Sequence, residues 1–166
     1  MNYQSQRSGF IPIRPDQLLS QVAHDSYKLT GTLSEPSICT DCEAIFHNGY
    51  WQWLPAPLHA QRIRCPACNR IRDNFPAGYV SLEGAFFNRH EQEILNFVRY
   101  RADREKPWYP QQRIMSVEKR EQGTLVTTTD LHLAHSIGQT LHQTYQGELE
   151  FHYNPQDNLL RVIWSR

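Results

Sequence analysis

The sequence predicts an α+β protein in which a small module stapled by four cysteines precedes a domain of order α-β-β-α-β-β, with a four-stranded, mainly antiparallel sheet. Three observations carry that prediction. All four cysteines fall in two Cys-x-x-Cys pairs, Cys39/Cys42 and Cys65/Cys68, within a stretch punctuated by prolines and short apolar runs. Beyond it, apolar residues recur at helical spacing in "NRHEQEILNFVRYRADREK" and "TTDLHLAHSIGQTLHQTYQG". Each of these segments is followed by two strand-like runs. The expected divisions are an extended N-terminal arm over 1–37, the cysteine module over 38–80 and the α+β domain over 81–166.

In the arm, Pro12, Pro15, Pro36, Gly9 and Gly31 argue for extended chain, with one helical candidate at "PDQLLSQVA" carrying Leu18, Leu19 and Val22. Such an arm either wraps a neighbour or hangs as a loosely docked tail. In the cysteine module, "AIFHNGYWQW" reads as a hairpin whose Asn48-Gly49 pair supplies the positive-φ turn.

The first long helix is expected to start at an Asn88 cap, with Glu91 three residues on as a second acceptor. Ile94, Leu95, Val98 and Ala102 form its apolar stripe, and Pro107 ends it. "RIMSVEKREQGTLVTTTD" follows as two strands around Gly123. The second helix is capped by Thr or Asp at its start and closed by Gly147, burying Leu131, Ala134, Ile137, Gly138, Leu141 and Tyr145. Last come two strands in which Leu149, Phe151 and Tyr153, then Leu160, Val162 and Trp164, alternate with mostly polar residues across an "NPQDN" turn.

Composition bounds the function. Lys+Arg and Asp+Glu both number 17, so no global field draws the chain to a polyanion, and any such contact must come from a local patch. No apolar run reaches membrane-spanning length, and "MNYQSQRSGF" lacks the layout of a secretory leader. The expectation is a cytoplasmic protein. In a reducing compartment, two Cys-x-x-Cys pairs and no other cysteine favour metal over disulfides.

Zinc takes four ligands in a tetrahedron, and thiolates satisfy both its charge and its soft character. The 22 residues between Cys42 and Cys65 allow a hairpin to bring the second pair back to the first. Cys39, Cys42, Cys65 and Cys68 are therefore expected to hold one structural Zn²⁺. A redox dithiol normally appears once, at a helix start following a strand, whereas two pairs occur here, and a catalytic zinc keeps an open position; His47 and His59 are available, but four sulfurs already close the shell.

Around the second pair stand Arg62, Arg64, Arg70 and Arg72, spaced by two so that extended backbone would aim each pair one way, at successive phosphates or into solvent. Trp51 shares a strand face with Trp53, and Tyr50 shares the other with Gln52. The tryptophans serve either as core or as a stacking platform for an unstacked base. His132, His135 and His142 on the second helix have no carboxylate or nucleophile spaced to join them, and "TTTD" at its start would repel phosphate through Asp130. No Gly-rich phosphate loop, Gly-x-Ser-x-Gly elbow or His-Glu-x-x-His occurs.

"HDSYKLTGTLSEPSICTDCEAIFHNGYWQW", "CPACNRIRDNFPAGYVSLEG" and "VTTTDLHLAHSIGQTLHQTYQGELEFHYNPQDNLLRVIW" together resemble a family of bacterial zinc-ribbon proteins to which no activity is assigned. More distantly, the zinc knuckles followed by "VTTTDLHLAHSIGQTLHQTYQG" are similar to the amino-terminal region of the adaptor that exports the large ribosomal subunit, and to its archaeal relatives. The resemblance implies that Cys39, Cys42, Cys65 and Cys68 correspond to zinc ligands and that the partner is ribosomal. That family usually has further cysteine pairs, and its downstream domains have no counterpart in this sequence.

The expected function is a non-enzymatic zinc protein that binds structured RNA, the ribosome first, as an assembly, stress or hibernation factor. Arg62, Arg64, Arg70 and Arg72 would contact phosphates, and Tyr50 or Trp51 would stack. The alternative is a zinc-stabilised protein-interaction module without nucleic acid. Neither reading involves a membrane or a small-molecule substrate.

Overall fold

The computed structural model describes residues 9–17, 27 and 33–166, in which two sheets and four helices form. Strand β1 is Ile11–Ile13. The smaller sheet contains β2 (Ser37–Cys39), β3 (Ile45–His47), β4 (Tyr50–Gln52) and β5 (Gln61–Ile63), in the order β4-β3-β2-β5 with only the β2/β5 pair parallel. Asn48 and Gly49 take φ of 53° and 81°, the mirror-image turn that suits a two-residue hairpin. The Glu35 carboxylate fixes this turn, accepting from the backbone N–H groups of Asn48 at 2.7 Å and Gly49 at 3.1 Å.

Helix α1 (Pro66–Asp73) departs from the extended backbone expected around the second cysteine pair. Its cause is local. Cys65 occupies the N-cap position, its sulfur accepting from Cys68 N–H at 3.4 Å, and Pro66 stands at the first helical residue, where its missing N–H is no loss. Asn74, left-handed at φ 49°, closes the helix.

The larger sheet adds β6 (Gly78–Glu83), β7 (Ile114–Arg120), β8 (Gly123–Thr128), β9 (Glu148–Asn154) and β10 (Leu159–Ser165) to β1, in the order β1-β9-β10-β6-β8-β7. It has six strands where the sequence predicts four. The expected pairs β7/β8 and β9/β10 are present, but β6 joins them by running parallel to β10 and antiparallel to β8, and β1 extends the edge along β9. Both additions come from outside 81–166 or cross its start.

Helices α2 (Ala85–Arg89), α3 (Glu91–Glu105) and α4 (Leu131–Tyr145) cover one face of this sheet. Val80 and Leu82, Val126, Phe151 and Tyr153, and Leu160, Val162 and Trp164 meet Ile94, Val98, Ile137 and Leu141 in a single core. At Gly138 α4 comes so near the sheet that an added Cβ would lie 2.5 Å from Val162 Cγ1. The Asp130 cap accepts from Leu133 N–H at 3.0 Å, as one of the two expected alternatives.

The Asn88 cap is a correction. Asn88 lies inside α2, and α3 starts after His90 with no side-chain cap. Burial of Phe87 and hydrogen bonds from the N–H groups of Phe86 and Phe87 to Arg166 O, at 2.7 and 3.0 Å, hold Ala85–Arg89 as a separate turn. Glu91 turns instead to β8 and β7, accepting from Thr124 Oγ1 at 3.0 Å and pairing with Lys119 at 3.1 Å. In "PDQLLSQVA" only Pro15, Asp16 and Gln17 are described, as a turn; the rest of that expected helix lies outside the described residues.

Candidate metal centre

Each Cys-x-x-Cys pair is built by backbone that points N–H groups at sulfur. Cys39 ends β2, and Glu43 at φ 65° turns the chain back so that Cys39 N–H reaches Ala44 O at 2.8 Å. The Cys39 sulfur accepts from Cys65 N–H at 3.2 Å and Asp41 N–H at 3.5 Å, joining the two pairs directly. All four Sγ atoms lie within 4.8 Å of one another, and Cys42 and Cys65 are 3.8 Å apart. A tetrahedron with metal–sulfur bonds of about 2.3 Å has edges of about 3.8 Å. None of the four is in a disulfide, and Cys39, Cys65 and Cys68 are buried. The four sulfurs can hold one metal ion.

Arg113, from the loop before β7, lies against this cluster. Its Nη2 donates to Cys42 Sγ at 3.2 Å and Cys65 Sγ at 3.6 Å, and Nη1 to Cys68 Sγ at 3.4 Å. Nε donates to Pro110 O at 2.7 Å, which fixes the guanidinium to its own loop, and the backbone N–H donates to Thr129 Oγ1 at 2.9 Å just past the end of β8. Burial alone would weaken its charge, but the Cys68 hydrogen bond and the nearby sulfur charges outweigh it and raise its pKa. The Cys42 thiol is drawn down to about 4, first by its hydrogen bond with Cys65, then by Ala44 and Arg113 against the opposing effect of burial. The same hydrogen bond and burial push Cys65 up. Gln111 ties the loop to α1, its Oε1 accepting from Ala67 N–H at 2.9 Å.

A divalent ion with four thiolates would carry two net negative charges, of which the Arg113 guanidinium, in direct contact with three of the sulfurs, offsets one. Replacing Arg113 with Ala is expected to weaken metal retention about 10- to 100-fold, read by competition with a chromogenic chelator. An unchanged affinity would show the contact to be incidental.

The four arginines do not form one patch. Arg62 is exposed on β5, and Arg64 is held by Asp41 at 2.7 Å. Arg72 is exposed and bonded to Asp73 at 2.9 Å. Arg70 is a correction: at 1% exposure it is part of the interior, stacked 4.3 Å above the Tyr27 ring and donating to Phe75 O at 3.1 Å. Residues two apart on a helix point to different sides, so α1 buries Arg70 and exposes Arg72.

Tyr50 is 72% exposed, whereas Trp51 packs half-buried on the cysteine cluster with its ring 5.4 Å from Phe46. Trp53 lies past the end of β4 and donates from Nε1 to Lys106 O at 2.8 Å. Tyr50 and Trp51 line a cleft of about 640 Å³ together with Trp108 and Tyr109 from the loop after α3. Sequence reasoning missed Trp108, Tyr109 and Arg113. The available signal was two aromatic residues between Pro107 and Pro110, a stiff loop displaying rings that no apolar periodicity claims.

Two of the three helix histidines, His135 and His142, serve the fold. His135 donates from Nε2 to Pro15 O at 2.8 Å and stacks 4.7 Å from the Phe151 ring; His142 donates to Gly147 O at 2.9 Å. Burial, with a smaller push from His132, holds His135 below its ordinary pKa against the Pro15 hydrogen bond. The unfolded chain therefore binds this proton first as pH falls below about 6.5, so stability is complete above that value and declines through the window beneath it. Denaturant midpoints from pH 7.5 to 5 should fall more for the wild type than for His135→Gln; parallel curves would contradict this.

No family model, curated protein or solved structure matches the chain. Among the described residues no helix is long and apolar enough to cross a membrane. Function must therefore be argued from the site itself.

Proposed function

We propose that this is a non-enzymatic, cytoplasmic zinc protein that binds structured RNA, with the ribosome as its first candidate partner and a role in assembly, stress or hibernation. The metal is Zn²⁺, because four thiolates at tetrahedral spacing suit a soft divalent ion without redox chemistry. Four sulfurs leave no ligand position for a substrate, which supports a structural role.

The observation that carries the RNA reading is the placement of exposed Arg62 and Tyr50 on the small sheet that the metal centre braces. A guanidinium and a ring on a stiff support can hold phosphate and base with little ordering loss. The distant resemblance to the ribosomal export adaptor agrees with this partner class.

Sedimentation of a lysate through sucrose tests it: the protein should travel with ribosomal particles at low salt and leave them at high salt. Recovery only at the top of the gradient under both conditions would refute it. A second reading, a zinc-stabilised protein-interaction module, is favoured by the pairing of Arg64 with Asp41 and Arg72 with Asp73, which cancels much of the local positive charge. A protein partner retained after nuclease treatment, with no RNA present, would select it.

A further inference from the structure

The geometry points to the cleft between β4 and the loop after α3 as a binding site for unpaired bases of a single RNA strand. This inference deepens the RNA reading by naming the form of RNA and the surface that takes it. Three independent features of the cleft carry it.

First, its rings are displayed rather than packed. Trp108 is 78% exposed and Tyr50 72%, with Tyr109 also exposed. Among the described residues neither Trp108, Tyr109 nor Tyr50 stacks on another ring. Large exposed aromatic surface is unfavourable in water and is relieved by stacking, which any base provides. Secondly, the same space is lined by Asp130, whose carboxylate is engaged in capping α4 through Leu133 N–H, and by Asn48, Gln52 and Gln112. Their amides supply both donors and acceptors, the chemistry that reads the edges of a base freed from its pairing partner.

Thirdly, the cleft continues into cationic ground. Gln112 also lines an adjoining hollow of about 320 Å³ that contains Arg99 and Lys106, opposed by Asp103, while Arg113 at its wall is turned to the cysteine sulfurs. Rings followed by cations match a strand whose bases stack while its phosphates run alongside. A duplex keeps its bases paired and stacked on one another, and so cannot use the rings. An apolar or proline-rich peptide would use the rings but has no call on the cations.

The cleft is also tied to the metal centre. Gln111 lines it while bonding α1, and Arg113 reaches the sulfurs from the same loop. The loop that carries Trp108 and Tyr109 is thus tied down at Gln111 and Arg113, which limits the ordering that binding must impose on it.

The test uses the metal-loaded full chain and fluorescence anisotropy of a fluorescein-labelled 12-mer of uridine. The strand should bind, with a duplex of equal length at least tenfold weaker. Trp108→Ala should weaken binding about 5- to 100-fold, and Tyr50→Ala similarly, while Trp108→Phe retains most of it. Both residues are exposed, so unfolding midpoints should not move. Arg99→Ala with Lys106→Ala should reduce the slope of log K against log salt by about 1.4, as two phosphate contacts on a single strand require.

Undiminished binding by Trp108→Ala and Tyr50→Ala overturns the assignment. So does displacement by a proline-rich peptide or equal affinity for free UMP. If the 12-mer fails to bind yet the protein sediments with ribosomal particles, this inference falls and the RNA reading stands; if both fail, the RNA reading falls with it.

Discussion

Cys65→Ser protein is expected to emerge from purification without its metal and with residues 37–73 unfolded, while the six-stranded sheet keeps its structure. Cys65 is at once a fully buried member of the sulfur cluster, the N-cap of α1 and a neighbour of Arg113. A serine oxygen is a harder and shorter ligand than a thiolate, so the substitution leaves an open tetrahedron. Structural zinc supplies about 10–16 kcal/mol of apparent folding free energy in small modules of this kind. Apolar burial in the module is small: Cys39, Cys65, Cys68 and Ala67 form its cluster, with Cys42 and Trp51 against it, and Ala44 and Ile45 are buried besides. The larger core shares no residue with that cluster. Amide spectra should therefore lose dispersion selectively for 37–73. Native dispersion across that segment in metal-free protein would contradict the prediction.

Trp164→Ala should produce the opposite partition. Trp164 is fully buried in β10 opposite Leu149 on β9 and Leu82 on β6, and its Nε1 donates to Gln146 O at 2.7 Å beyond the end of α4. Its removal leaves a cavity at the junction of helix and sheet and deprives a carbonyl of its donor. The expected loss is about 3–5 kcal/mol, a fall in melting temperature of roughly 10 °C for a chain of this size. Calorimetry should show that fall while metal stoichiometry stays at that of the wild type. A loss below about 1 kcal/mol would show that the core closes over the gap.

These two substitutions also mark where the sequence was legible. The alternation of Leu160, Val162 and Trp164, the Asp130 cap and the two cysteine pairs are local signals, and local signals survive without a structure. Strand β6 was hidden because "GYVSLE" alternates as clearly as β10 but follows the cysteines, and its pairing with β10 and β8 is set by contacts 40 or more residues away. Arg113 was hidden for a similar reason: 71 residues separate it from Cys42, and nothing in a basic residue ahead of a strand announces a sulfur partner. Arg70 misled because its sequence spacing was read on an extended chain, although Pro66 directly after Cys65 is a helix-start signal.

The cleft illustrates a middle case. Tyr50 and Trp51 stood out beside the Asn48-Gly49 turn, but their companions Trp108 and Tyr109 arrive from a loop on the far side of α3. Only the fold brings the two pairs of rings together. A composition with balanced charge gives no hint of that surface.

The metal centre is the claim on which the rest depends, and X-ray absorption at the zinc edge on freshly purified protein tests it most directly. One zinc per chain with four sulfurs at about 2.3 Å and no nitrogen or oxygen neighbour is the predicted result. A shell with fewer than four sulfurs, or protein that is fully folded with no zinc bound, would contradict the account.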